Sequence, residues 1–216
     1  MKDIFINAQC AFEYMFDYII NNGIIQQDTQ AIKNIGFKIL NPLDRNINTT
    51  WRKWSSKYAE MEWQWYLSEN PSAMLISQHA KIWKKCMDEN GNVNSNYGYQ
   101  WSRSNQIQYV IDELERNPES RRANITLYDA KEHQMYSKDT PCTLSIGFTI
   151  ENQSLDMSVL MRSNDLVYGF CNDQYCFSKL QEMIANRMNI RIGTYYHFTQ
   201  NMHIYEKHFN IKNRNK

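Results

Sequence analysis

Residues 161–173 read Met-Arg-Ser-Asn-Asp-Leu-Val-Tyr-Gly-Phe-Cys-Asn-Asp, which packs a cation, a hydroxyl, two carboxylates and a glycine into one strand-to-helix turn. Before it, Leu155, Met157, Val159 and Met161 alternate as one face of a strand does. After it, residues 173–189 read as a helix. Arg162 and Ser163 can grip an anion such as phosphate, because a guanidinium fork matches phosphate oxygens and the hydroxyl adds a donor. Asp165 and Asp173 stand on either side of Gly169, where backbone can come close to a ligand. The same residues also suit a polar loop whose Asp and Asn side chains cap the following helix.

Working outward, the second half of the chain carries a period of two. Residues 124–128 read as a strand, and Leu144, Ile146, Phe148 and Ile150 alternate through residues 143–150. A turn at 151–154 leads into the strand that ends at Met161, and residues 192–205 form the last strand. The first half is mostly helical. Ile6, Cys10, Phe12, Phe16 and Ile20 recur near helical spacing in residues 5–20, and Asn22-Gly23 closes that helix. Residues 35–40 look like a short strand ended by Asn41-Pro42. Helices are expected over 50–67, 71–87 and 104–115, the last stopped by Asn117-Pro118; 88–92 is turn chemistry and 94–98 a loop. The pattern is α+β, with strands that pair largely antiparallel.

The 216 residues fit one domain spanning 1–216. A net charge of +1 gives no general electrostatic case for nucleic acid or an anionic membrane, so anion recognition must be local. No apolar run reaches the ~20 residues that span a bilayer. The scattered charges of residues 1–16 lack the apolar centre of a signal peptide, and a cytoplasmic protein is expected. Five cysteines without CxxC spacing speak against a disulfide framework and a zinc site.

Three further features carry chemistry. Cys142 follows Thr140-Pro141 and opens a strand, where a thiol is either a small buried apolar residue or a rigidly held nucleophile whose pKa a nearby arginine would lower. Arg121 and Arg122 precede a strand that can deliver them to an anion, or decorate a solvated surface. His203 and Tyr205 share strand parity, which suits two hydrogen bonds to one ligand hydroxyl and equally suits a half-buried polar face.

Taken together with Glu62 in Glu-Trp-Gln-Trp-Tyr-Leu, Asn96-Tyr97-Gly98, Asn117-Pro118-Glu119-Ser120-Arg121-Arg122, Pro141-Cys142-Thr143 and Gly169-Phe170-Cys171-Asn172-Asp173, these stretches resemble, in order and spacing, the thymidylate synthase family, and in particular its phage branch, deoxycytidylate 5-hydroxymethylase. The resemblance covers residues 54–209; the first fifty match weakly. It implies a thymidylate synthase-like fold, a mixed, largely antiparallel sheet packed with helices, with one sheet face used for homodimerisation. Cys142 would add to C6 of the pyrimidine, making C5 nucleophilic enough to attack the one-carbon unit of 5,10-methylenetetrahydrofolate. Arg162 and Ser163 would hold the 5′-phosphate, beside Asn164 and Asp165, while Arg121 and Arg122 reach it from the partner subunit. His203 and Tyr205 would hold the 3′-hydroxyl, Glu62 would organise water and move protons, Trp83 would pack on folate, and Tyr97 would line the site. Asp165 and Gly169 match positions touching folate and the back of the nucleotide.

Asp173 stands where the family's synthases have asparagine. A carboxylate only accepts hydrogen bonds, which suits the 4-amino group of cytosine, and a protonated N3, better than uracil O4. The resemblance therefore implies dCMP as substrate and 5-hydroxymethyl-dCMP as product, with reductive methylation to 5-methyl-dCMP, ordinary thymidylate synthesis, and a non-catalytic nucleotide-binding dimer as alternatives. The family's basic phosphate loop near the N-terminus is not recognisable; Lys33 or Arg45 would replace it or be ordinary surface charges. Family members continue into a tail that closes over folate, whereas this sequence runs only a few residues past Phe209. If phage-encoded, the protein would work in the host cytoplasm.

Overall fold

The period-two pattern ending at Met161 becomes a strand whose Leu155, Met157, Val159 and Met161 are all at most 1% exposed. The computed structural model describes residues 1–135 and 138–213; the final Lys216 lies outside the described residues. The strands are β1 (Ile4–Phe5), β2 (Ile24–Gln26), β3 (Thr29–Ile39), β4 (Asn124–Thr126), β5 (Thr143–Glu151), β6 (Ser154–Met161), β7 (Asn164–Asp165) and β8 (Arg191–Tyr205). The helices are α1 (Ala8–Asn22), α2 (Ser56–Leu67), α3 (Ile82–Cys86), α4 (Tyr97–Ser102), α5 (Gln106–Arg116), α6 (Ala130–His133) and α7 (Cys171–Arg187).

Among the described residues these strands form one sheet in the order β1-β3-β8-β6-β5-β4, with β2 on β3 and β7 on β8. It is mixed: β3–β8, β2–β3, β4–β5 and β5–β6 are antiparallel, while β1–β3, β6–β8 and β7–β8 are parallel. Helices α1 and α7 cover one face, and α2 packs on α7. The long strand β8 sorts its side chains accordingly, with Tyr195, His197 and Thr199 buried and Tyr196 and Phe198 on the other side 37% and 40% exposed. Among the described residues, no helix is long and apolar enough to cross a membrane.

Several expected boundaries move, each for a local reason. The first helix begins at Ala8, where the Asn7 side chain accepts from the Cys10 N–H, so the packed stripe is Ala8, Ala11, Phe12, Met15, Phe16 and Ile19 while Ile6 and Cys10 are exposed. The short strand expected at 35–40 is the end of the longer β3. The helix expected from residue 50 starts after Ser55, which caps it, because Trp51 instead packs on Phe12 and Phe16, 5.0 and 4.8 Å between ring centres. The helix expected over 71–87 is not formed as one piece. Its start is an extended ribbon held to the following turn by Ala73 N–H on Gly91 O and Val93 N–H on Pro71 O, followed by a 3₁₀ turn (Ile76–Gln78) and α3. Only Ala73, Ile76 and Val93 form a buried cluster there, too little to hold a long helix. The loop expected at 94–98 contains the start of α4, capped by Asn96 on the Tyr99 N–H.

Candidate active site

The turn after β6 builds the closed end of the site. Leu166–Phe170 forms a single π-type turn whose first N–H groups are met by the Asp165 carboxylate, with Val167 N–H to Oδ1 at 2.8 Å. This extra residue swings Gly169 against Asn164 and Asp173. A Cβ on Gly169 would sit 3.0 Å from Asn164 Nδ2 and 3.2 Å from Asp173 Oδ2, so a side chain there would press on the carboxyl group below it. Asn164 Nδ2 donates to that Oδ2 at 2.8 Å and fixes its direction.

Asp173 is half-buried as a residue and stands in the first turn of α7, whose dipole favours a carboxylate. Crowding of the carboxyl by protein nevertheless wins: desolvation pushes it up to about 7, against the Asn164 hydrogen bond and helped by the nearby charge of Asp165. Glu62 of α2 is buried and is pushed up to about 8, first by desolvation and then by the charge of Asp173. Two carboxyls so placed hold protons close to neutral pH, as groups that exchange protons with a substrate need to.

Glu62 also predicts a pH effect on stability. Its proton is held more tightly in the folded chain than in the unfolded one, so its favourable contribution is present at low pH and is lost as pH rises from its ordinary 4.5 through about 8. The thermal midpoint of the parent protein is expected to fall more steeply over that interval than that of Glu62→Gln. Parallel curves would show that Glu62 is not held protonated.

Cys142 immediately precedes β5, and its carbonyl accepts the Arg162 N–H at 2.8 Å, which joins the start of β5 to the end of β6. The Arg162 side chain folds back onto the same segment, donating to Thr140 O at 2.7 Å and Pro141 O at 3.0 Å and lying 3.8 Å from the Cys142 sulfur. The expectation that a nearby arginine would lower the thiol pKa is only half met. Arg162 does pull it down, but burial outweighs this and pushes the thiol up to about 11, with Asp173 adding to the rise. The segment is pinned from its other side by Asp139, whose carboxylate accepts from the Ser95 N–H and hydroxyl at 2.7 Å each.

Ser163, His203 and Tyr205 line one open pocket of about 610 Å³ together with the β2–β3 turn at Gln26, Gln27 and Asp28. The His203 and Tyr205 rings meet edge-on at 5.2 Å, on the same side of β8 as their shared parity predicts, and Asn201 Oδ1 lies 3.2 Å from His203 Nδ1. Asp165 pairs with His203 in register, and burial lowers the imidazole pKa. Tyr205 also borders a second pocket of about 940 Å³, lined by Asp165, Trp54, Tyr58, Ile82 and Tyr168, with Arg52, Lys53, Lys57, Lys81, Lys85 and Lys207 around it. Trp83 stands beside it, edge-on to Trp65 at 4.9 Å. Tyr97 is buried between Phe177 and Tyr66, 5.4 and 5.6 Å away, within electrostatic reach of Asp173 and Cys142.

Cys142, Arg162, Glu62, Asn164, Gly169 and Asp173 line neither of these pockets, and Arg121 and Arg122, expected to reach the phosphate of a partner subunit, are exposed on the connection before β4. Arg45 does not replace a phosphate loop, because it is buried and spent on an ion pair with Glu182 at 2.6 Å. Lys33 is an exposed residue of β3 and does not line the pocket that holds Ser163. Sequence reasoning passed over Tyr58, whose hydroxyl lies 3.2 Å from Glu62 Oε1 and 3.0 Å from Trp83 Nε1. Its position four residues before Glu62 on one helix was the available signal.

Comparison with known proteins fits this geometry. The family model described as Thymidylate synthase matches residues 11–215. The Deoxycytidylate 5-hydroxymethyltransferase of Enterobacteria phage T4 is 31% identical over 171 residues, 72% of this chain and 69% of that protein. The Thymidylate synthase of Bacillus licheniformis is 28% identical over 169 residues, 74% of this chain and 60% of that protein. Among solved structures, thermostable thymidylate synthase A from Bacillus subtilis shares the fold, with a TM-score of 0.77 and 24% identity over 96% of this chain and 82% of that one.

Proposed function

The chain belongs to the thymidylate synthase family, and from that premise we propose that it is a deoxycytidylate 5-hydroxymethyltransferase working as one catalytic domain. The observation that supports the choice of base is the Asp173 carboxyl, fixed by Asn164 at 2.8 Å under Gly169. Cys142 is the nucleophile toward C6 of dCMP, and its proton must leave before or as the sulfur adds. Asp173 accepts from the 4-amino group, and a proton shared between its oxygen and N3 disperses the charge that the addition creates. Glu62 supplies or removes protons at the far side of the base. Ser163 and Arg162 hold the 5′-phosphate, with Asn164 and Asp165 shaping that wall, and His203 and Tyr205 hold the 3′-hydroxyl.

The larger pocket fits a reduced folate, since its aromatic and aliphatic wall at Trp54, Tyr58, Ile82 and Tyr168 suits a flat ring system and the surrounding lysines suit its carboxylates. Trp83, Asp165 and Gly169 would border it. Bound there, 5,10-methylenetetrahydrofolate would supply a one-carbon unit at the oxidation level of formaldehyde; water would add to that carbon, the C5 proton would be lost and Cys142 would leave C6, restoring the pyrimidine and the free thiol. The outward Tyr196 and Phe198 of β8 give an apolar face for a second copy, whose Arg121 and Arg122 would then reach the phosphate. Neither nucleic acid nor membrane enters the reading, and the cytoplasm, where reduced folate and dCMP occur together, is the expected compartment.

A second reading, thymidylate synthesis from dUMP, is favoured by one observation. A carboxyl titrating near 7 is often neutral, and its O–H can then serve uracil O4. The oxidation state of the released folate tests the transfer chemistry. Hydration leaves tetrahydrofolate, so dCMP consumption is expected without the near-ultraviolet absorbance of dihydrofolate; stoichiometric dihydrofolate would mean reductive methylation instead.

A further inference from the structure

Three side chains, Trp83, Tyr58 and Glu62, form a directed chain. Trp83 of α3 places Nε1 3.0 Å from the Tyr58 hydroxyl, and that hydroxyl lies 3.2 Å from Oε1 of Glu62. An indole N–H can only donate, so the Tyr58 oxygen accepts from Trp83 and its own hydrogen goes to Glu62. Oε1 is thereby committed as an acceptor. We propose that Tyr58, held by Trp83, is a positioning residue that forces the exchangeable proton of Glu62 onto Oε2, so that the acid works in one direction only.

The other groups facing Glu62 do not compete for this role. Asp173 and Cys176 approach from α7 and Tyr66 lies on α2 itself; the first raises the Glu62 pKa through its charge, while the other two are buried groups held protonated. Burial keeps Glu62 protonated up to about pH 8, so there is a proton to direct at neutral pH. Tyr58 lines the larger pocket, whereas Glu62 is buried and does not, so the phenol connects that pocket to the buried carboxyl. Its value to catalysis rests on the function proposed above; its effect on Glu62 does not.

The test follows the Glu62 carboxyl stretch by infrared titration, with Glu62→Gln used to identify the band, in the parent protein and in Tyr58→Phe. A donated hydrogen bond stabilises the carboxylate, so its loss is expected to raise the midpoint by roughly half a pH unit or more. Trp83→Phe, which frees the Tyr58 hydroxyl, should raise it less, and should add nothing in the Tyr58→Phe background. In turnover, Tyr58→Phe is expected to lower kcat about tenfold with nucleotide KM within about twofold, and to move the alkaline limb of the pH profile upward. An unchanged or lowered midpoint in Tyr58→Phe, or additive shifts in the double variant, would overturn the proposal. Absence of turnover by the parent protein would instead strike the proposed function, while the titration still decides the role of Tyr58.

Discussion

Cys142→Ala is expected to lower turnover of dCMP by at least about 10⁴-fold, the scale on which removing a covalent nucleophile acts, while nucleotide binding changes only a few-fold. The asymmetry follows from how the segment is held. Its position depends on main-chain groups: the Arg162 N–H on Cys142 O, and the Arg162 guanidinium on Thr140 O and Pro141 O. None of these needs the sulfur, so the alanine variant keeps the arginine and the cavity wall in place. What it loses is the atom that adds to C6. The thiol is a poor nucleophile at rest, because burial pushes it up to about 11, and the charge of Arg162 at 3.8 Å opposes this. Hence Arg162→Lys, which loses the fork on two carbonyls, should weaken both phosphate binding and addition. Isothermal titration with dCMP and single-turnover kinetics separate the two. Appreciable turnover by Cys142→Ala would remove the covalent mechanism.

Asp173→Asn is expected to shift the ratio of kcat/KM for dCMP over dUMP by roughly 10²-fold or more toward dUMP, because two base contacts change sign and each mismatched buried group costs ~1–3 kcal/mol. The amide can donate to O4 and accept from N3–H, a pair of contacts that cytosine meets only with the amide flipped. The parent protein should show a further signature. Burial pushes its carboxyl up to about 7, and the proton that it shares with N3 of dCMP is lost as pH rises through that value, so kcat/KM for dCMP is expected to fall on that limb. Asparagine has nothing to titrate, so Asp173→Asn should lack this limb. A parent kcat/KM for dCMP that keeps rising through this range would sink this account of base selection, whatever the variant does.

Much of the site was legible because its residues crowd into short stretches. Asn164, Asp165, Gly169 and Asp173 lie within one turn, and the observed contacts among them span at most nine positions. The strands around Met161 were legible because one-sided burial writes a period of two into the chain. Residues 71–87 were not, because their apolar spacing fits a helix while the Ala73 N–H is given to Gly91 O and Pro71 O accepts from the Val93 N–H. Nor could spacing show that Arg45 pairs with Glu182, 137 positions away. The pKa values of Cys142 and Glu62 were hidden for a related reason. They depend on how deeply the fold buries each group, and for the thiol that effect exceeds the visible arginine.

The central claim, one-carbon transfer to cytosine ending in water, is tested most directly by the products formed from an equal mixture of dCMP and dUMP with 5,10-methylenetetrahydrofolate. Mass spectrometry is expected to find a hydroxymethyl group added to dCMP and dUMP left unchanged. A methyl group on dUMP, or on dCMP, would contradict it.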